Sequence, residues 1–412
     1  MATGHSTSWP RQTRACSRRE FLRASAAGAL GLPFGLQALA GSDTNAVGPA
    51  SALSTHGARV SIVPCKAYGP EVKEALWKSF DLLGGIGALV RRKTVTVKVN
   101  LTGTDFSPVF GRPPGASYMT HFSTALALAA LLCENGARRV RFVESTNSKA
   151  SLETTLGFAD WDLGALRAHG NIVFENTRNL GSGKSYPTLK VPGGGRFFTA
   201  INLNEAYEQT DVMVSLTKLK THVTAGVTLS MKNLFGITPN ALYGDEAGNE
   251  DATAGRGPLH GTGTPQYPQK FRKVRLPHLN ASFHSNDPGL RIPRIITDIC
   301  AARPIHLSII DGITAMDGGE GPWCDQIAFR LVRPGVLVVG MNPVSTDAVG
   351  TAVMGFSNPR APRGQPPFEQ CDNHLLLAEQ AGLGTADLAK IEMLGSPVAT
   401  VAQRYRSPFS GG

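Results

Sequence analysis

None of the six cysteines stands in a C-x-x-C pair, which removes the usual ligand spacings of structural zinc and of ferredoxin-type clusters. G-x-G-x-x-G after an early strand, a Walker phosphate loop, H-E-x-x-H and G-x-S-x-G are absent as well. The common dinucleotide, nucleoside triphosphate, zinc-protease and serine-hydrolase signatures therefore do not apply. Gly181-Ser182-Gly183-Lys184 looks phosphate-like but lacks the spacing and reads as a loop. Charge is present without blocks of one sign: 41 basic and 31 acidic residues are dispersed, with no run of five or six. That gives nucleic-acid binding little support. No apolar stretch after residue 40 approaches the roughly 20 residues of a membrane span. His260, His278 and His284 fall in one polar region without metal-ligand spacing.

The N-terminus has its own pattern. Ser17-Arg18-Arg19-Glu20-Phe21-Leu22-Arg23 is followed by a weakly apolar run from Ala24 to Ala40 that ends in Ala38-Leu39-Ala40. Basic residues, a short apolar run and a small-x-small site in this order read as a twin-arginine export signal over residues 1–40. The expectation is a protein passed folded to the export machinery and working in the periplasm or outside the cell. Five of the basic residues and one acid lie in the first forty positions, so the remainder keeps a mild positive excess. Cys16 also lies there, leaving Cys65, Cys133, Cys300, Cys324 and Cys371. An odd number leaves at least one thiol unpaired in an oxidising compartment.

From residue 41 to 412 the chain reads as one large α/β domain. Short β-branched runs at 59–63, 94–99, 139–143, 171–175, 212–216, 306–310 and 336–339 alternate with helical patterns. This alternation predicts a largely parallel sheet flanked by helices. Helices are expected over 70–80, 121–134, 163–168, 292–301 and 343–354, with Gly136 as a stop and Pro343 in a first turn. Residues 239–291 break the pattern: rich in Gly, Pro, Asn, His and Asp, they read as a long irregular flap insertion.

In open α/β sheets, ligands bind outside the carboxyl ends of the strands. Polar residues stand directly there: Lys98 and Asn100, then Glu144-Ser145-Thr146, then Lys218-Leu219-Lys220-Thr221-His222, then Asp311-Gly312. In extended chain, Lys218, Lys220 and His222 share a side. At roughly 6 Å and an effective dielectric near 20, each like-charge pair costs about 3 kcal/mol, and far less in bulk water. The group is either a solvated basic edge or is matched by an anion. Apolar flanks at 212–216 and 225–235, the latter closing on Met231-Lys232-Asn233-Leu234-Phe235-Gly236, favour a partly buried, matched group. Asp311, Asp317 and Glu320 lie in a Gly-rich stretch that suits either a divalent cation or acid–base work.

Lys98-Val99-Asn100-Leu101, Glu144-Ser145, the Lys218–His222 run, Ser230–Gly236, Ile310-Asp311-Gly312-Ile313, Gly319-x-Gly321-Pro322 and a late Asp347 occur in a fixed order. In this they resemble the "domain of unknown function 362" family over about residues 59–394. Many members carry ferredoxin-type cysteine clusters; this chain lacks those cysteines, so no cysteine-ligated iron–sulfur cluster is expected and the cofactor stays open. The resemblance implies a site around Lys98, Asn100, Lys218, Lys220, His222, Lys232, Asn233 and Asp311, and no reaction. The resulting expectation is an exported enzyme acting on a small phosphate- or carboxylate-bearing ligand. In it Lys98, Glu144, Lys218, Lys220 and Lys232 bind, Asn100 and Asn233 orient, and His222 or Asp311 transfers protons. The alternatives are a periplasmic metal- or anion-binding carrier without turnover and a redox accessory protein.

Overall fold

The computed structural model describes residues 58–101, 106–253, 255–261, 274–322, 324 and 329–409. The proposed export signal lies outside them. Every expected strand forms, within one or two residues at each end. In chain order the strands are β1 (Arg59–Pro64), β2 (Thr94–Lys98), β3 (Arg139–Glu144), β4 (Ile172–Asn176), β5 (Thr188–Lys190), β6 (Ala200–Asn202) and β7 (Val212–Lys218). They continue with β8 (Lys220–His222), β9 (Gly226–Thr228), β10 (Leu307–Gly312), β11 (Ala315–Asp317), β12 (Arg330–Val332), β13 (Val336–Gly340) and β14 (Glu392–Gly395).

Eight of these make one sheet in the order β14-β1-β13-β10-β7-β2-β3-β4. β13 alone runs against its neighbours β1 and β10; the other pairings are parallel. The fold is thus α/β with a largely parallel sheet. Every residue of β2, β7 and β13 is buried, as covering of both sheet faces requires; the apolar run is nearly continuous in β7 and β13, while β2 alternates threonine with valine. One face packs Val95, Val97, Val214, Leu216 and Ile309 beneath the Pro70–Leu82 and Phe122–Glu134 helices. The other packs Met213, Ile310 and Val338 beneath the Pro288–Ala302 and Pro343–Val353 helices.

After β2 the chain moves outward through β3 to β4, then returns to β7 and continues to β10 on the opposite side. The strand order therefore reverses between β2 and β7. Such a switch point opens a crevice at the carboxyl ends, because the flanking connections leave in opposite directions.

Two expectations change. The 239–291 segment is not a loose flap where it is described: Tyr243 and Leu259 are fully buried in the core, and Arg291 donates to the Pro258 and Leu259 carbonyls at 2.6 and 3.1 Å. Its polar residues divide between side-chain-to-backbone bonds, as at Arg256 and Arg291, and exposed stretches such as 248–251 and 281–282. The following helix also begins at Pro288, not 292. Asp287 caps it through Gly289 N–H at 2.8 Å, and Pro288 occupies its first turn. Pro293 inside this helix cannot bond the Gly289 carbonyl, which accepts from Asp372 N–H at 2.8 Å instead. The residue pattern started the helix late because Pro293 reads as a helix boundary when that distant donor is not foreseen.

Candidate anion site at the carboxyl rim

Side chains alternate across a strand, so Lys218, two residues past Leu216, points to the Leu216 face. Asp311, two past Ile309, does the same on the neighbouring strand, directly opposite Lys218 in register. Lys218 Nζ donates to Asp311 Oδ2 at 3.1 Å and to the Gly115 carbonyl at 2.7 Å, and both side chains are fully buried. Tyr68, after β1, donates to Asp311 Oδ1 at 3.0 Å, accepts from Lys218, and stacks on His121 at 3.5 Å between ring centres. Thr124 Oγ1 and Ile313 N–H supply further bonds to Asp311 at 3.0 and 3.1 Å. Burial pulls the Lys218 ammonium below its usual range while Asp311 holds it up. Asp311 has no oxygen left for another partner in this arrangement.

Lys98 follows Val97 and so points to the opposite face. Its ammonium pairs with Glu144 Oε1 and donates to the Val99 carbonyl at 2.8 Å. Glu144 also accepts from Leu101 and Ser145 N–H, each at 2.9 Å, which fastens the ends of β2 and β3 together. Asn233 reaches back to the Lys98 carbonyl and Ser215 Oγ, both at 3.1 Å. Asn100 donates to Asn233 Oδ1 at 3.4 Å, but its own Oδ1 is buried without a donor. Arg256, from the segment expected to be a flap, donates to Ser145 Oγ at 2.6 Å and to the Gly236 and Thr238 carbonyls.

A third group gathers around β8. Lys220 is fully buried and donates to the Tyr118 and Glu320 carbonyls at 2.6 and 2.8 Å. Burial and the neighbouring Lys232 lower its pKa to about 7, with Glu320 opposing. Lys232 stands over the Phe235 ring at 4.9 Å and has no carboxylate among the described residues within ion-pairing distance. Its pKa falls to about 8, chiefly through burial, against the pull of Glu320. His222 accepts Thr224 N–H on Nδ1 at 3.0 Å, so the proton of the neutral ring sits on Nε2, 3.9 Å from Glu320 Oε1. Burial and the charge of Lys232 hold this imidazole neutral. His260 and His374 complete the group and are likewise kept neutral, with pKa values near 4 and 3, first by burial.

The structure thus brings Lys98, Asn100, Glu144, Lys218, Lys220, His222, Lys232, Asn233, Asp311 and Glu320 to one rim, but splits them between two sheet faces. Asp317 does not join them. Its carboxylate is bound by Arg330 and Arg406, which tie down β12 and the C-terminal segment and hold its pKa low. Asp311, Asp317 and Glu320 consequently do not form a shared cation site. Among the described residues no three His, Cys, Asp or Glu side chains are arranged to hold a metal ion.

Sequence reasoning missed Tyr68, His121, Arg256 and His374. Tyr68 and His121 precede their helices as single polar or aromatic residues, a pattern shared with ordinary turns. Arg256 sat in the presumed flap, and His374 opens a short helix far from the recognised motifs.

No curated protein matches the chain. A family profile described as "Domain of unknown function (DUF362)" matches residues 95–352, well over half of the 412 residues and the whole stretch from β2 to the Pro343–Val353 helix. The chain belongs to this family of unknown function, DUF362.

Proposed function

We propose that this protein binds a small phosphate- or carboxylate-bearing ligand at the switch point and acts on it as an exported enzyme. The observation that carries the reading is Lys232. Lys98 has Glu144 and Lys218 has Asp311, whereas Lys232 has an aromatic face and no ion-pair partner among the described residues. A partly buried ammonium beside a second lysine is costly unless a ligand carries the counter-charge. In this reading Lys232 and Lys220 meet the anion, and His222 Nε2–H donates to it. Asp311 positions Lys218 and Tyr68 rather than moving protons itself. A lysine with a pKa near 7 or 8 exchanges a proton readily at neutral pH, so proton transfer falls to Lys220 or Lys232.

One observation favours the second reading, a carrier without turnover. The two groups first expected to move protons, Asp311 and His222 Nδ1, are both occupied by internal hydrogen bonds. Mass spectrometry of protein purified from cells with the export machinery intact separates the two readings. A co-purified substrate–product pair supports turnover; one unchanged anion supports carriage.

Binding itself is checked by thermal shift and calorimetry with inorganic phosphate and with succinate. Lys232→Met should weaken the tighter of the two at least about tenfold, the loss of one charge-assisted hydrogen bond. Unchanged affinity in that variant would remove the anion site. Export is read separately. Replacing Arg18 and Arg19 by lysine should retain the protein in the cytoplasm, and undiminished periplasmic recovery would sink the twin-arginine reading.

A further inference from the structure

The anion reading names only a charge; the two imidazoles nearest Lys232 specify more. His222 offers a donor, because its Nδ1 already accepts Thr224 N–H and its proton is on Nε2. His374 is arranged the other way. It opens the helix His374–Gln380, is fully buried, and stands edge-on to Phe368 at 5.9 Å between ring centres. Phe368, its ring partner, packs on the β8–β9 hairpin, whose first strand ends in His222 and whose Gly226 (φ +75°) leaves no room for a side chain: a Cβ there would sit 2.5 Å from the Phe368 ring.

Neither ring nitrogen of His374 makes a well-formed hydrogen bond. The backbone group its ring feels is the Ala225 carbonyl, and the charge it feels is Lys232. A carbonyl attracts the ring N–H, so the proton belongs on that side and the other nitrogen presents a bare lone pair. Asn100 Oδ1 is a second buried acceptor at this rim without a donor. Buried acceptors are almost always satisfied in native proteins, so a bare imidazole nitrogen on a ring that feels the charge of Lys232 marks where a ligand's own donor belongs.

We propose that the ligand is an oxyanion that also carries a hydroxyl group: its negative oxygens face Lys232 and His222 Nε2–H, and its hydroxyl donates to the open ring nitrogen of His374. This rests on the anion reading above and narrows it. Hydrogen phosphate and hydroxycarboxylates share this chemistry; sulfate and simple dicarboxylates have the charge without the donor. His374 lies beyond residue 352, where the family match ends.

Calorimetry on the exported protein at pH 7 tests the proposal with two matched pairs, phosphate against sulfate and malate against succinate. The hydroxyl-bearing member of one pair should bind at least roughly tenfold tighter, since its partner strands a buried acceptor. The pair that discriminates identifies the source as a phosphate or a hydroxy acid. In His374→Phe, which suits the apolar contact with Phe368, that preference should vanish while the weaker member of the pair binds as before.

Equal affinities within both pairs would overturn the inference and leave the anion site standing. No binding of any of the four would overturn both. Should His374→Phe fail to fold, the imidazole nitrogen resonances of the unaltered protein decide the matter. The preferred ion must shift the acceptor nitrogen of His374, and its hydroxyl-free partner must not; a nitrogen unmoved by both ions refutes the role given to His374.

Discussion

Two lysines on neighbouring stretches of chain, the buried Lys218 and the half-buried Lys232, are treated in opposite ways. Lys218 is enclosed by Asp311, Tyr68, and the Gly115 carbonyl, every donor facing an acceptor. Lys232 is left with the Phe235 ring, a second lysine nearby, imidazoles that burial keeps neutral, and Glu320 acting from beyond ion-pairing distance. The first arrangement is closed and holds the ends of β7 and β10 and the loop after β1 together. The second is unbalanced, with charge to spare. The difference teaches that basic residues of similar appearance at one sheet rim divide into those that build the site and those that face its occupant.

The sharpest way to break the comparison is to open the closed pair. Asp311→Ala should cost about 3–5 kcal/mol, because it strands Lys218 in the interior and leaves the Tyr68 and Thr124 hydroxyls without their acceptor. Chemical denaturation measures this directly; a loss below about 1 kcal/mol would mean that the pair is not closed as described. Replacing both partners, Lys218→Met with Asp311→Leu, should recover much of that loss, as hydrophobic substitutes often do for a buried ion pair.

A smaller effect is expected from acid. His121, His260 and His306 have pKa values lowered to about 4, and His374 to about 3, in each case first by burial. The unfolded chain takes up these protons near pH 6.5, before the folded one does. Stability is therefore full above about pH 6.5 and falls as pH drops towards 4. Asp347 works in the opposite sense, since burial raises its pKa to about 7 and the folded state gains a proton first. With His222, also lowered by burial, five imidazoles outweigh the three carboxyls raised by burial, Asp245, Asp298 and Asp347, so the midpoint of denaturation should fall between pH 6.5 and 4. A flat profile over that window would show these rings to be solvated.

The smallest change is expected at the open side. Without added anion, Lys232→Met should leave stability within about 0.5 kcal/mol or raise it slightly, because no pair is broken and a repulsion with Lys220 is removed. A loss above about 2 kcal/mol in that variant would instead give Lys232 a structural partner.

Much of the architecture could be read from residue types. Val212–Leu216 is almost continuously apolar, which marks a strand covered on both faces, while Thr94–Val99 shows its strand through β-branched residues. The polar residues that follow them, Lys98 and Lys218, do lie at the strands' carboxyl ends. The short strand β14 escaped notice because Glu392–Gly395 is an edge segment, largely exposed and without a buried pattern. The site was legible as a list of residues but not as an arrangement. Lys98 and Lys218 look alike in the chain, yet a single residue of register decides the face, so they serve clusters on opposite sides of the sheet.

What the amino-acid order determined by itself was local: where the chain extends, where it coils, and which strands end in ammonium, amide or carboxylate. Those follow from side-chain shape and periodicity, which act over a few residues. Tertiary structure alone decided which charges meet. It gave Asp317 to two arginines from the far C-terminal half of the chain, gave Asp311 to Lys218, and carried His374 beneath a hairpin built from residues 220–228. Charge pairing in a buried site depends on distances of a few ångströms between segments far apart in sequence, 93 residues for Lys218 and Asp311, and only the packed sheet and its covering helices set those distances.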